Sequence, residues 1–132
     1  MDIIVDTSVI LAVILNEPTK PALLQVTEGA DLRSAGSLPW EVANALTALF
    51  RRRRLDLSQA RKALESFEAI PIHLSDVDLT EAVSLGHEQG IYAYDAYILE
   101  CARRYAAPLL SLDRAQCEVA RKLSIDVLEV ES

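Results

Sequence analysis

Four acidic residues carry the chemistry this sequence could perform: Asp6, Glu41, Asp95 and Asp113. Asp6 closes the apolar run Ile3-Ile4-Val5, and Asp113 closes Leu109-Leu110-Ser111-Leu112 in the same way. In an open parallel sheet, reactive groups gather beyond the carboxyl ends of the strands, so these two carboxylates are expected at one edge. Glu41 lies near the start of a long helical pattern and is followed by Asn44, Ala45, Ala48 and Leu49, a small and apolar face. Asp95 likewise begins a stripe of Ile98, Leu99 and Ala102. Singly, Asp6, Asp95 and Asp113 also read as helix caps or first-turn residues, and Glu41 as an acid meeting a helix dipole. Jointly they read differently. Carboxylates a few Å apart repel, and such a cluster persists only if protonated or neutralised by a cation. An oxygen-only donor set suits Mg²⁺ or Mn²⁺, and no His or Cys spacing resembles a zinc site. A divalent ion that keeps water in its shell lowers the pKa of that water and stabilises charge on a phosphoryl oxygen. Phosphodiester hydrolysis is the reaction class that follows.

The chain has 132 residues, with 20 acidic against 13 basic and a formal charge of -7. This balance opposes a protein that grips nucleic acid through a broad positive surface. It allows one that holds a cation, or whose basic residues are concentrated locally. Arg51-Arg52-Arg53-Arg54 is the concentrated run. It reads either as cations meeting the negative end of a helix or as a contact to RNA backbone or an acidic partner. Arg114, directly after Asp113, is placed to reach a phosphate, whereas Arg103 and Arg104 read as solvated helix positions. Aromatics are only 5% of a chain that is 51% hydrophobic, so the core must be built from Leu, Ile, Val and Ala. Tyr92, Tyr94, Tyr97 and Tyr105 cluster around one helix and are read as core or dimer packing rather than base stacking. His73 and His87 are read as structural. Cys101 and Cys117 are expected to be reduced, buried thiols. No apolar run reaches membrane-spanning length, and no secretory signal opens the chain, so a cytoplasmic protein is expected.

The elements that must position the acids follow from hydrophobic pattern and turn residues. Strands are expected at residues 1–5, 31–35, 70–74, 109–112 and 126–130. Helices are expected at 7–16, 18–27, 38–54, 59–69 (capped by Ser58), 75–89, 94–106 and 114–123. Continuous apolar strands alternating with helices predict one α/β domain over residues 1–132, with helices on a parallel sheet.

Four fragments occur in the order and spacing of the PIN domain: Ile4-Val5-Asp6-Thr7-Ser8, Glu41-Val42-Ala43-Asn44-Ala45-Leu46, Tyr94-Asp95-Ala96 and Leu110-Ser111-Leu112-Asp113. From Ile3 to Val130 the chain resembles in particular the VapC group of toxins from type II toxin–antitoxin systems. The resemblance implies a three-layer α/β/α sandwich on a five-stranded parallel sheet. It also implies an endoribonuclease dependent on Mg²⁺ or Mn²⁺, with the family's acidic quartet falling on Asp6, Glu41, Asp95 and Asp113. Asp6, Asp95 and Glu41 would hold or orient the metal. Asp113 would be either a ligand of a second ion or the group holding the attacking water. Thr7, Asn44 and Ser111 would hydrogen-bond the carboxylates or the phosphate. The same resemblance implies a homodimer and an antitoxin partner whose apolar and basic tail covers the acidic cleft. Trp40 departs from the family's usual occupant.

Other readings compete. A PIN nuclease serving RNA processing without an antitoxin has the same site. A phospho-acceptor signalling domain also has an acidic pocket on a parallel sheet. Here, however, Asp6 is followed by Thr7 and Ser8, and none of Lys20, Lys62 and Lys122 stands at a strand end. An Asp-x-Asp phosphatase is opposed by Ser8, and a catalytically inert interaction module by the intact quartet.

Overall fold

Asp2–Val5 forms the central strand, β1, of a computed structural model that describes residues 1–130. It pairs in parallel with β2 (Asp31–Ala35) on one side and with β4 (Leu109–Leu110) on the other. β3 (Ile72–Ser75) extends the sheet beyond β2, giving the order β3-β2-β1-β4. Seven helices lie between and after the strands: α1 (Thr7–Ile14), α2 (Lys20–Val26), α3 (Leu38–Arg51), α4 (Leu57–Glu68), α5 (Leu79–Gln89), α6 (Ala93–Tyr105) and α7 (Arg114–Lys122).

Side chains alternate across a strand, and β1 sorts the core accordingly. Ile4 joins a cluster with Ala82 and Leu85 of α5, Ile98, Leu99 and Ala102 of α6, and Ala120 of α7. Ile3 and Val5 join the opposite cluster, with Val9 and Ile10 of α1, Leu23 of α2, Val42 and Leu46 of α3, and Ala63 of α4. Helices therefore cover both faces, which explains why β1 is apolar from Ile3 to Val5 rather than alternating.

The expected fifth strand is absent as a strand. Where residues 126–130 were expected to pair, one isolated parallel bridge joins Val127 to Leu109. The Leu109 N–H donates to the Asp126 carbonyl at 2.8 Å, and the Leu109 carbonyl accepts from the Leu128 N–H at 2.9 Å. β4 offers no longer ladder. It follows Pro108, which has no N–H to donate, and it ends at Leu110, after which Ser111 turns toward the site. Among the described residues the sheet has four strands.

Helix α3 ends at Arg51 rather than at residue 54, so the Arg run does not circle a helix as its sequence suggested. Arg53 adopts a left-handed conformation, with φ of 57°. Its N–H donates to the Phe50 carbonyl and the Arg54 N–H to the Leu49 carbonyl. This is the paired closure that commonly ends a helix on glycine. Helix α4 begins two residues earlier than Ser58 implied: Asp56 caps it, in a reciprocal capping box with Gln59.

Candidate active site

Asp6 is the N-cap of α1, and its carboxylate accepts from the Val9 N–H at 3.3 Å. The same carboxylate accepts from the Ser8 hydroxyl at 2.5 Å and from the Ser111 hydroxyl, which reaches across from the end of β4. Capping and clustering are thus two uses of one side chain. Because β1 and β4 run in parallel with Val5 opposite Leu110, the residues that follow them emerge side by side. One further bond joins the loop after β4 to the turn after β1, and another closes that loop on itself. The Leu112 N–H donates to the Ser8 hydroxyl at 2.9 Å, and the Asp113 N–H to the Ser111 hydroxyl at 3.0 Å. Asp113 then caps α7 by accepting from the N–H groups of Ala115 and Gln116, at 2.9 and 3.3 Å.

Glu41 sits in the first turn of α3. It accepts from the Ser37 hydroxyl at 2.6 Å and, more weakly, from the Thr7 hydroxyl at 3.5 Å. The second contact ties α3 to the turn that holds Asp6. Asp95, in the first turn of α6, projects an exposed side chain. The buried Gln116 donates to its backbone carbonyl at 2.9 Å, joining the starts of α6 and α7.

The electrostatics connect all four acids. Burial pushes the Asp6 carboxyl above its ordinary range despite three hydrogen-bond donors, and the charge of Asp113 adds to the shift. Burial also raises Glu41, against the Ser37 hydroxyl, and Asp95 and Asp6 raise it further. Partial burial raises Asp95, with Asp113 again adding. Asp6, Glu41 and Asp95 therefore each feel the charge of at least one other acid of the set.

The PIN domain model matches residues 3–122. The chain belongs to the PIN domain family. Among solved structures, PAE2754 from Pyrobaculum aerophilum is similar with a TM-score of 0.70 at 22% identity, over 90% of this chain and 87% of its own. FitAcB from Neisseria gonorrhoeae is similar with a TM-score of 0.68 at 17% identity, over 96% of each chain. VapBC2 from Rickettsia felis, solved bound to a DNA fragment from their promoter, is similar with a TM-score of 0.71 at 13% identity, over 99% of this chain and 100% of the other. At these identities the likeness establishes the fold. No curated protein matches the chain.

Within this PIN domain, no three His, Cys, Asp or Glu side chains among the described residues form a ready-made metal cage. Mg²⁺ asks for less, since it binds through one or two carboxylates, keeps several waters and takes further oxygens from phosphate. The donors here are carboxylate oxygens whose charge is disfavoured by burial and by one another, and that chemistry fits a hard divalent cation.

The remaining predicted residues fall in different places. Thr7 and Ser111 hydrogen-bond acids of the quartet, as described. Asn44 lines an open cleft of about 520 Å³ with Thr7, Trp40, Glu41 and Tyr94. Arg51, Arg52, Arg53 and Arg54 are exposed, and Arg51 stands ten residues after Glu41 on α3, about 15 Å along the axis. Arg114 is exposed and lines a second groove, with Ser111, Glu118 and Arg121. Sequence reasoning missed Ser8, Ser37 and Gln116. Ser37 stands one helical turn before Glu41, a spacing that signals the contact; Gln116 carried no signal, because its partner is a backbone carbonyl of another helix.

Proposed function

We propose that this PIN domain is a Mg²⁺- or Mn²⁺-dependent endoribonuclease acting as the toxin of a toxin–antitoxin pair. The observation that supports the catalytic reading is the joining of the β1 and β4 ends, where the Ser111 hydroxyl bonds Asp6 two residues before Asp113 and the Thr7 hydroxyl links the same turn to Glu41. Asp6, Glu41 and Asp95 would hold or orient the ion, and Asp113 would complete the set as a further ligand or as the group that holds the attacking water. When bound, the ion supplies a water of lowered pKa and charge stabilisation at the phosphoryl oxygen. The chain's own hydroxyls aim the acids: Ser8 and Ser111 orient Asp6, and Ser37 and Thr7 orient Glu41.

The antitoxin partner is supported by the resemblance to the VapC group and by the likeness to VapBC2. Two copies of the chain are supported by Leu79 and Val83, one turn apart on α5 and both largely exposed, which leave apolar surface in want of a cover. No helix among the described residues is long and apolar enough to cross a membrane.

The test is cleavage of total RNA with Mg²⁺ or Mn²⁺ and then with EDTA. Asp6→Asn and Asp95→Asn are expected to reduce cleavage by more than about 100-fold, beyond the roughly 10- to 100-fold loss seen when a residue behind a metal ligand is removed. Mapping new 5′ ends after induced expression, beside the Asp6→Asn chain, identifies the RNA that is cut. Cutting that persists undiminished in EDTA overturns the mechanism. Coexpression with a small protein encoded beside it is expected to silence the chain; a chain that is never silenced is an RNA-processing nuclease instead.

A further inference from the structure

We propose that Trp40 and Tyr94 form a nucleobase-binding subsite in the cleft that Glu41 lines, holding one unstacked base of a single-stranded RNA beside that carboxylate; this rests on the nuclease reading above. Each of these aromatics immediately precedes an acid of the quartet, as Trp40-Glu41 in the first turn of α3 and Tyr94-Asp95 in the first turn of α6. Both are large and exposed, Trp40 at 74% and Tyr94 at 59% of their surface. They lie on different helices yet line the same cleft, with Thr7, Glu41 and Asn44.

The lining describes its occupant. Two aromatic side chains lining one cleft call for a flat group that is apolar on its faces. Asn44 stands four residues after Trp40, hence on the same side of α3, and its amide offers a donor and an acceptor together. That combination suits the polar edge of a base. Tyr94 is braced for the task by an edge contact with Tyr97, with ring centres 5.7 Å apart and planes at 80°. Tyr97 in turn packs against the core cluster. Bases reach such a platform only when unstacked, so the substrate presents a single-stranded segment. An arginine-bearing peptide would also stack on these rings. It would, however, compete with the cation for the carboxylates, whereas a base uses the rings and the amide and leaves the acids to the ion.

Trp40 is the sole tryptophan, so its fluorescence reports on this subsite alone. The full-length Asp6→Asn chain in Mg²⁺ is titrated with a ten-nucleotide single-stranded RNA of mixed sequence, with an abasic strand of equal charge, and with an arginine-rich peptide. The RNA is expected to quench saturably and the abasic strand to leave the emission unchanged. Tyr94→Ala should weaken RNA binding roughly 5- to 150-fold, the span measured for loss of one base stack. In the cleaving chain, Trp40→Ala should raise KM by a similar factor with kcat changing less, and Trp40→Phe should restore most of it. Both rings are exposed, so melting curves of the Ala variants are expected to match that of the parent. Equal quenching by the abasic strand, quenching by the peptide alone, or an unchanged KM in Trp40→Ala overturns the subsite. The nuclease reading fails separately, if the parent chain does not cut RNA in either metal.

Discussion

At the scale of the residue, Asp6 shows how one side chain serves fold and chemistry together. It caps α1 and anchors the loop after β4 through Ser111, and it does so while buried at 8% exposure beside other acids. Its pKa in the folded chain is raised from 3.8, so the folded state holds the proton more tightly than the unfolded state. The stability linked to that proton is complete below the unfolded value and is lost as pH rises through the folded value. Asp6→Asn removes this loss. In metal-free buffer, the melting temperature of the variant minus that of the parent is expected to grow from pH 4 to pH 8, and Mg²⁺ should narrow the gap. Each kcal/mol is worth about 3–5 °C at this chain length; a gap independent of pH would count against the cause. Cys101 makes the opposite case, a reactive type rendered inert. Burial and the adjoining Glu100 push its thiol up to about 11. Thiolate is therefore scarce near neutrality. Iodoacetamide at pH 7.5 is expected to leave Cys101 unlabelled in the native chain and to label both cysteines after denaturation, as read by mass spectrometry.

At the scale of the element, the helix ends were the least legible part of the sequence. Asn16, Arg53, Ala106 and Ser124 all take φ between 48 and 61°, a region that ordinarily selects glycine. The chain has only four glycines, and none of those stands at these positions. Ala106 is the clearest instance. Its N–H donates to the Arg103 carbonyl and the Ala107 N–H to the Ala102 carbonyl, closing α6 before Pro108. Left-handed backbone costs a residue with a Cβ about 1–2 kcal/mol, against about 0.5–1 kcal/mol of extra chain entropy lost by glycine. Ala106→Gly is therefore expected to stabilise the fold by about 0.5–1 kcal/mol, seen as a higher urea midpoint at an unchanged slope. The same closure at Arg53 explains why a run of four arginines misled: no glycine or proline marks the stop, and the helix ends inside the run. The last strand failed for a different reason. A β-prone stretch at residues 126–130 pairs only where a partner offers free backbone, and β4 is two residues long.

At the scale of the whole molecule, an acidic chain is asked to hold a polyanion. The exposed Arg51–Arg54 run, about 15 Å along α3 from Glu41, is its one dense positive patch, and a strand leaving the cleft along α3 would meet it. Replacing these four arginines with Ala is expected to lower the slope of log affinity against log salt by up to about 3, at roughly 0.7 per phosphate contact on a single strand. Titrations of the Asp6→Asn chain at several salt concentrations measure it. An unchanged slope would assign the run to another partner or to the helix end alone. Two pairs of observations also link the scales. Ser8 and Ser111 make the β1 and β4 ends one unit, while Thr7 and Gln116 fasten the starts of α3 and α6 to that unit.

By itself, the order of residues determined the α/β class, the parallel sheet and the acids that stand after β1, after β4 and in the first turns of α3 and α6. Those features are written in local patterns: apolar runs ended by Asp, and acids leading apolar helical stripes. Only the tertiary structure decided that the Ser111 hydroxyl meets Asp6, that Ser37 and Thr7 share Glu41, that Trp40 and Tyr94 face one cleft, and that the fifth strand shrinks to a single bridge. These depend on which strand ends lie side by side and how much backbone each leaves free, and no residue carries that information within its own neighbourhood of the chain.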